Sequence, residues 1–436
     1  MGYDTSDDDK PSSSTVDDNE AAESYESEEE TNFKKTSIVG TIFNMINSIL
    51  GAGILSIGNC FIPTGYVVSI ILLLLIAFLS YVASIMIVKL SADLNVNGLS
   101  ELANVLTGKV GSISLSILNL LYLITGLIVY LVLAGDTLES WFKLGGHDYS
   151  SRYKRALMIL IYSVIPISLT IPRQISFLKY FSTATVICIL FYLVSNTYKF
   201  SDYVHGNKGV NPTTDVVLCK FDIFSSFATY GVAFALPAVI MPSLRMYEKS
   251  LSKRMRATFI AILLAFIFVT LSGVTSYSIF GTSTKSNILN NYSDNDKLVI
   301  AIRAGFFIVV TSAYPMLSQS VISAWGFLIF RVENSRDLET KKRVLLLVLC
   351  SLIPLIIAMF LPTIKPAISV GGALGGVFTD FFYPPLFWII HHKNDYSKFD
   401  YRRILCIIFM VFGLITAVIS TYQAVVNAID SFKKDE

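Results

Sequence analysis

The sequence has very few of the residues from which catalytic and metal sites are commonly built. Histidine occurs only four times in 436 residues, and no Ser, His and Asp residues have a spacing typical of a hydrolase. The five cysteines include no CxxC pair, which excludes the common zinc and redox motifs. Neither a P-loop nor a GxGxxG motif is present. These absences predict that the chain is not an enzyme and binds neither a cofactor nor a metal.

Charged residues are also scarce, and they are unevenly distributed. They make up 15% of the chain, against roughly 25% in soluble domains, whereas hydrophobic residues make up 53%. The formal net charge of +2 conceals an acidic segment over residues 1–30, with twelve acids and one base. We predict a disordered acidic cytosolic tail over residues 1–33, a membrane domain over 37–427 and a short C-terminal tail over 428–436.

The membrane domain contains eleven segments that are long and apolar enough to span a bilayer, which requires about 20 residues per helix. The predicted spans are 38–62, 66–90, 112–134, 156–172, 180–198, 224–243, 257–280, 299–330, 344–361, 367–390 and 404–427. An all-α, multi-pass membrane protein follows from this pattern.

Lysine and arginine are concentrated in the loops that follow the sixth, eighth and tenth predicted spans. By the positive-inside rule, this distribution predicts a cytosolic N-terminus. Asn291 begins an Asn-Tyr-Ser glycosylation sequon between predicted spans 7 and 8, which then lies on the outer or lumenal side. The basic loops are expected to contact anionic membrane lipid, so no nucleic acid partner is predicted.

Glycines in the first predicted span and prolines in the sixth predict a pair of helix breaks. The first span contains Gly51-Ala52-Gly53, and the sixth contains Pro237 and Pro242. The structural alternatives are close helix packing by small residues and a simple proline kink. However, the two breaks lie in the first members of two successive sets of five spans. Paired breaks of this kind favour a transporter with inverted repeats and a substrate site near the membrane midplane.

A set of short motifs follows in order along residues 37–427. They lie at residues 43–55 (FNMINSILGAGIL), 135–138 (GDTL), 242–244 (PSL), 277–292, 314–315 (YP), 371–376 (GGALGG) and 384–385 (PP). Together they resemble the amino acid/auxin permease family, especially its neutral and vacuolar amino acid transporter branches. The resemblance implies a LeuT-like 5+5 inverted repeat plus one extra helix. It also implies secondary active transport of amino acids by alternating access, coupled to an ion gradient, in a vacuolar, lysosomal or plasma membrane.

The predicted substrate site lies at the two broken helices. Free amides of the first span would bind the amino acid's carboxylate, and free carbonyls of the sixth would bind its ammonium group. The first group of residues is Ser48, Gly51, Ala52 and Gly53, and the second is Phe234, Ala235 and Leu236. Tyr122 and Ser312 are predicted to line the side-chain pocket, although ordinary helix packing is the alternative for both.

The coupling ion is predicted from three positions. The resemblance implies sodium ligation by an Asn in span 1 and a Thr two residues before the span 8 proline. Asn47 matches the first, but Ala313 occupies the second position, so a proton is favoured over sodium. Asp380 is the only carboxylate inside a predicted span, and a buried carboxylate there is a functional candidate. Its alternative is an aspartate bonded to neighbouring hydroxyls or to water.

Two other functions and one further residue complete the predictions. The alternatives are an amino acid sensor that signals through the N-terminal tail, and a sodium-coupled neutral amino acid importer. Arg303, near the start of span 8, is predicted to extend to the membrane interface rather than to act in a gate.

Overall fold

The computed structural model describes residues 37–51, 53–146, 151–172, 179–245, 247–332, 338–395 and 400–434. Within these residues, every regular element is helical. The predicted acidic tail over residues 1–33 and the predicted site residue Ala52 lie outside the described residues.

The described helices reproduce the predicted set of spans. Ten are long and apolar enough to cross a membrane, and the bent helix pair at the start of the chain makes an eleventh span. Span 1 comprises half-helices 1a (Ile38–Leu50) and 1b (Gly53–Phe61), and span 6 comprises half-helices 6a (Ile223–Ala233) and 6b (Leu236–Leu244). The others are span 2 (Gly65–Leu94), span 3 (Leu99–Leu144), span 4 (Arg152–Thr170), span 5 (Lys179–Asn207), span 7 (Leu251–Phe280), span 8 (Lys297–Phe330), span 9 (Thr340–Phe360), span 10 (Lys365–His391) and span 11 (Tyr401–Lys434).

Successive spans run in alternating directions, which defines two faces of the bundle. Span 1 begins at what we term the N-terminal face, and span 2 begins at the opposite face. The loop between spans 7 and 8, which contains Asn291, lies at the opposite face. Span 11 continues to Lys434, beyond the predicted end of that span at residue 427.

Both predicted helix breaks are present. Half-helices 1a and 1b meet at an angle of 55°, and Gly51 between them has a φ of +40°, which favours glycine. In span 6, Phe234 and Ala235 leave the helical conformation between Ala233 and Leu236.

Span 10 contains a third irregularity, a π-helical turn over Gly372–Val377. Its glycines permit very close helix packing. A Cβ on Gly375 would lie 2.1 Å from the Cβ of Tyr122 in span 3, and a Cβ on Gly372 would lie 2.2 Å from the carbonyl oxygen of Ala228 in half-helix 6a. Span 10 is therefore packed directly against span 3 and half-helix 6a.

Candidate functional site

A cavity with a volume of about 310 Å³ lies beside the break in span 1. Spans 1, 3, 6 and 8 supply its wall, with Ile368 from span 10. Its polar lining residues are Asn44, Asn47, Ser48, Tyr122, Thr125, Tyr130, Ser243 and Ser320. Among the described residues, no charged side chain lines it. Its volume is at the lower end of the range of ~300–1,000 Å³ for small-molecule sites.

Span 1 contributes both backbone and side-chain polarity to the cavity. Gly51 and Gly53 line it at the break, where the last carbonyls of half-helix 1a and the first amides of half-helix 1b have no partners within their helices. Asn47 and Ser48 line it one turn earlier. Since the Ser48 hydroxyl donates to the Asn44 carbonyl at 2.8 Å, its oxygen remains an acceptor.

Span 3 places two tyrosines on the cavity wall. Tyr122 was predicted there, but Tyr130 was missed, although the two lie on one helix face because eight residues are close to two helical turns. The Tyr130 hydroxyl lies 3.2 Å from the position that a Cβ on Gly51 would take. Tyr130 therefore contacts the break in span 1 directly.

Gly51→Ala is expected to destabilise the protein by about 1–3 kcal/mol, because an L-residue at this φ is strained and its Cβ would approach Tyr130. Gly53→Ala is the matched control, since a Cβ there has no heavy atom within 4 Å, and its effect should stay within about 0.5 kcal/mol. Denaturant unfolding of the purified variants measures both. Equal losses of stability would contradict this account of the break.

The predicted residues of span 6 are set back from the cavity. Phe234, Ala235 and Leu236 are fully buried, and Val232 and Val239 on either side line the wall instead. The Phe234 carbonyl accepts a hydrogen bond from the Ser80 hydroxyl at 2.6 Å and one from the Leu236 amide at 2.7 Å. In this conformation the Phe234 carbonyl oxygen therefore already accepts two hydrogen bonds.

On span 8, the residue that lines the cavity is Ala313 and not the predicted Ser312. The Ser312 hydroxyl is buried and donates to the Val309 carbonyl at 2.9 Å, whereas Ala313 lines the cavity. Thr311 donates to the Phe307 carbonyl and is paired with the Tyr162 hydroxyl. Adjacent helical residues point about 100° apart, so neither hydroxyl takes the place of the missing one at residue 313.

Asp380 lies outside the cavity, in the contact between span 10 and half-helix 6b. Its side chain is 1% exposed, and its carboxyl group accepts a hydrogen bond from the backbone amide of Ala238. That amide is in the first turn of half-helix 6b, which has no side-chain cap of its own. Within the described residues, the Oδ1 atom of Asp380 has no partner. The carboxyl group therefore caps the broken helix from a neighbouring span.

Asp136 at the end of span 3 closes the bundle at the opposite face. It forms a 2.8 Å ion pair with Arg155 of span 4 and accepts hydrogen bonds from Asn287 and Asn290 at 2.9 and 3.0 Å. The loop between spans 7 and 8 is thereby attached to spans 3 and 4. A residual space of only about 10 Å³ remains beside this group.

Arg303 belongs to a second closing group, and the prediction that it extends to the interface is wrong. Its side chain is 3% exposed, because it pairs with Asp294 at 2.8 Å, donates to the Leu289 carbonyl at 2.8 Å and contacts the Ser140 hydroxyl. These partners, which come from other segments, satisfy the guanidinium inside the protein.

The environment of Asp294 extends the Arg303–Asp294 pair to lower pH than an ordinary aspartate would allow. Partial burial alone would raise the pKa of Asp294, but hydrogen bonds from Ser140 and Arg303, together with the Arg303 charge, hold this pKa below its usual value. A carboxyl group with a lowered pKa stabilises the folded state above its unfolded pKa and loses that contribution only as the pH falls through the lowered value.

Asn291 takes part in local hydrogen bonds of the same loop. Its amide donates to the Ser283 carbonyl, and its side-chain carbonyl accepts from the Lys285 amide, both at 2.8 Å. Glycosylation at Asn291 stays a prediction.

A match to a protein family covers all eleven spans of the chain except the end of span 11. Residues 34–426 match the family described as transmembrane amino acid transporter protein. The chain belongs to this family. It is therefore an amino acid transporter and a multi-pass integral membrane protein, and the prediction that it is not an enzyme is confirmed.

Two similar proteins cover almost the full chain at low identity. The sodium-coupled neutral amino acid transporter 7 of Danio rerio is 25% identical over 90% of this chain and 87% of its own length. The amino acid transporter AVT6D of Arabidopsis thaliana is 23% identical over 88% and 91%, respectively. A solved structure of MhsT in complex with L-phenylalanine has a TM-score of 0.57 at 12% identity and covers 90% of this chain and all of that one. The predicted LeuT-like fold is confirmed by this similarity.

Proposed function

We propose that this family member transports neutral amino acids by alternating access through the central cavity, with a proton as the coupling ion. The observation that carries the proposal is the uncharged cavity of about 310 Å³ at the end of two half-helices. A zwitterion brings one positive and one negative group, which backbone dipoles at helix ends can bind without any charged side chain.

The lining chemistry favours a neutral side chain on the substrate. An acidic or basic substrate would carry an additional charge into a space where no described side chain compensates it, and an uncompensated buried charge is costly. Tyr122 and Tyr130 supply hydroxyl groups, and Leu317 and Met316 supply apolar surface. This combination is suited to small and medium apolar or hydroxylated amino acids.

The proton is favoured over sodium because the cavity wall lacks a hydroxyl at residue 313. Sodium prefers several oxygen ligands at short range, and span 8 presents Ala313, which has no oxygen on its side chain, to the cavity that Asn47 and the break also line. Asp380 offers a titratable group at the first turn of half-helix 6b. Protonation would remove the negative charge from the positive end of this half-helix and weaken the cap, which connects the proton to the packing of half-helix 6b against span 10.

The conformation described supports alternating access. The cavity extends from the break toward the N-terminal face, since Asn44, Ser243 and Ser320 lie between the break and that face. At the opposite face, the groups around Asp136 and Arg303 close the bundle. The opposite face is thus closed, whereas the cavity extends toward the N-terminal face.

Reconstitution of the purified chain in liposomes tests the coupling ion. With a pH gradient and no sodium, we expect concentrative uptake of neutral amino acids, and collapse of the gradient with a protonophore should abolish accumulation. A sodium gradient at fixed pH should leave the rate within about twofold of the sodium-free value, a change of less than ~0.5 kcal/mol. Uptake that requires sodium at fixed pH would refute proton coupling, and protein-free liposomes provide the background.

A further inference from the structure

A second cavity, with a volume of about 130 Å³, lies near the opposite face between half-helix 1b, half-helix 6a and the start of span 10. Most of its lining residues are polar, and in contrast to the central cavity its wall carries charged side chains. Lys365 lines it from the start of span 10, and Lys220 and Asp222 line it from the segment before half-helix 6a. We refer to it as the polar vestibule.

Several side chains of the polar vestibule present hydrogen-bond acceptors to the cavity. The hydroxyl hydrogens of Ser56, Ser226 and Thr229 are donated to backbone carbonyls at 2.8, 2.9 and 3.2 Å, respectively. The Asn59 amide donates to the Thr284 carbonyl. Each of the three hydroxyl groups therefore keeps only acceptor capacity for a ligand, whereas the Asn59 amide keeps an acceptor oxygen and one further N–H donor. The three hydroxyl oxygens are suited to an ammonium group of a ligand.

The Lys365 ammonium group supplies the opposite chemistry in the same cavity. Its side chain is half-buried and has no ion pair or hydrogen bond with any described residue that the structure records. Asp222 at the rim accepts a hydrogen bond from Gln423 of span 11. A cation and a group of acceptors that line one cavity match the two ends of an α-amino acid, with its carboxylate at Lys365 and its ammonium at the hydroxyl oxygens.

Among the described residues, one side chain is common to the walls of the two cavities. Ile368, one helical turn after Lys365, lines both the polar vestibule and the central cavity. A ligand in the polar vestibule would thus be separated from the substrate site by this side chain and the break region of spans 1 and 6.

We infer that the polar vestibule is a second binding site for the transported amino acid, occupied at the opposite face before or after passage through the central cavity. The inference rests on the proposed function, because it uses the same zwitterionic substrate. It assigns to Lys365 the binding of the carboxylate, and to Thr229 and Ser226 the binding of the ammonium group.

Equilibrium binding of radiolabelled alanine to the full chain in nanodiscs tests the inference directly. We expect two equivalents bound per wild-type chain and one per Lys365→Gln chain, with Lys365→Arg restoring the second. In proteoliposomes, Lys365→Gln should raise the KM for alanine by roughly tenfold, as expected for the loss of a charge-assisted hydrogen bond. The control is Lys297→Gln, which removes a lysine at the same face outside the polar vestibule and should retain both sites.

The ammonium contacts need a separate test. Thr229→Val removes the acceptor oxygen and should weaken the second equivalent several-fold, whereas Thr229→Ser keeps the oxygen and should bind normally. The comparison of the two Thr229 variants also tests the second binding site if Lys365→Gln does not fold. Propionate, which has a carboxylate but no ammonium group, should not displace alanine from the second site.

The outcomes separate this inference from the proposed function. A wild-type chain that transports alanine but binds one equivalent, or a Lys365→Gln chain with unchanged stoichiometry and KM, would overturn the second site and leave the transporter proposal intact. Displacement by propionate at the affinity of alanine would identify a simple anion site and overturn the amino acid assignment. Absence of both binding and uptake for every neutral amino acid would refute the proposed function itself.

Discussion

Asp380→Asn is expected to abolish proton-driven accumulation of amino acids while leaving the protein folded. Asparagine keeps an acceptor oxygen for the Ala238 amide, which Asp380 binds in this structure, but it cannot gain or lose a proton. Loss of a coupling free energy of about 1–3 kcal/mol corresponds to roughly 5–150-fold. The measurement is the accumulation ratio of alanine in proteoliposomes under an imposed pH gradient.

Exchange across the membrane distinguishes loss of coupling from general damage. Exchange of internal for external alanine, at equal pH, requires no net proton movement, so the Asp380→Asn variant should retain it at near wild-type rates. Asp380→Glu preserves the carboxylate and should retain part of the accumulation. Full proton-driven accumulation by Asp380→Asn would show that Asp380 has a structural role only.

The second large effect is expected on stability. Asp136→Ala should lower the free energy of unfolding by about 3–5 kcal/mol, the usual result when one partner of a buried ion pair is removed. Arg155 would keep only the carbonyls of Leu361 and Pro362, and Asn287 and Asn290 would lose their shared acceptor. Denaturant unfolding of the purified protein in micelles measures the change.

Glu139→Ala provides a matched control one helical turn along span 3. Glu139 pairs with Lys143 in the same helix at 2.7 Å, and the Lys143 side chain is 39% exposed. A surface pair of this kind contributes about 0–1 kcal/mol, so the control should be nearly as stable as the wild type. Similar losses in both variants would contradict a special role of Asp136 in closing the opposite face.

The sequence by itself determined the membrane architecture and the positions of the two breaks. Spans are recognisable because hydrocarbon requires long apolar runs, and the number and order of the helices agree with the prediction. Glycine and proline also act locally on the backbone. The breaks at Gly51 and before Pro237 could therefore be recognised from the sequence alone. Of the predicted site residues, Asn47, Ser48, Gly51, Gly53 and Tyr122 line the cavity.

Only the tertiary structure decided which side chains face one another. A helix presents a different face every 100°, and its rotation depends on the packing of its neighbours, so Ala313 rather than Ser312 lines the cavity. The same dependence explains why the partners of Asp380 and Arg303 were not foreseen. The amide of Ala238 and the carboxylate of Asp294 come from other segments of the chain. Local sequence specifies where a helix forms and breaks, but contacts between distant segments determine what each polar group in the membrane binds.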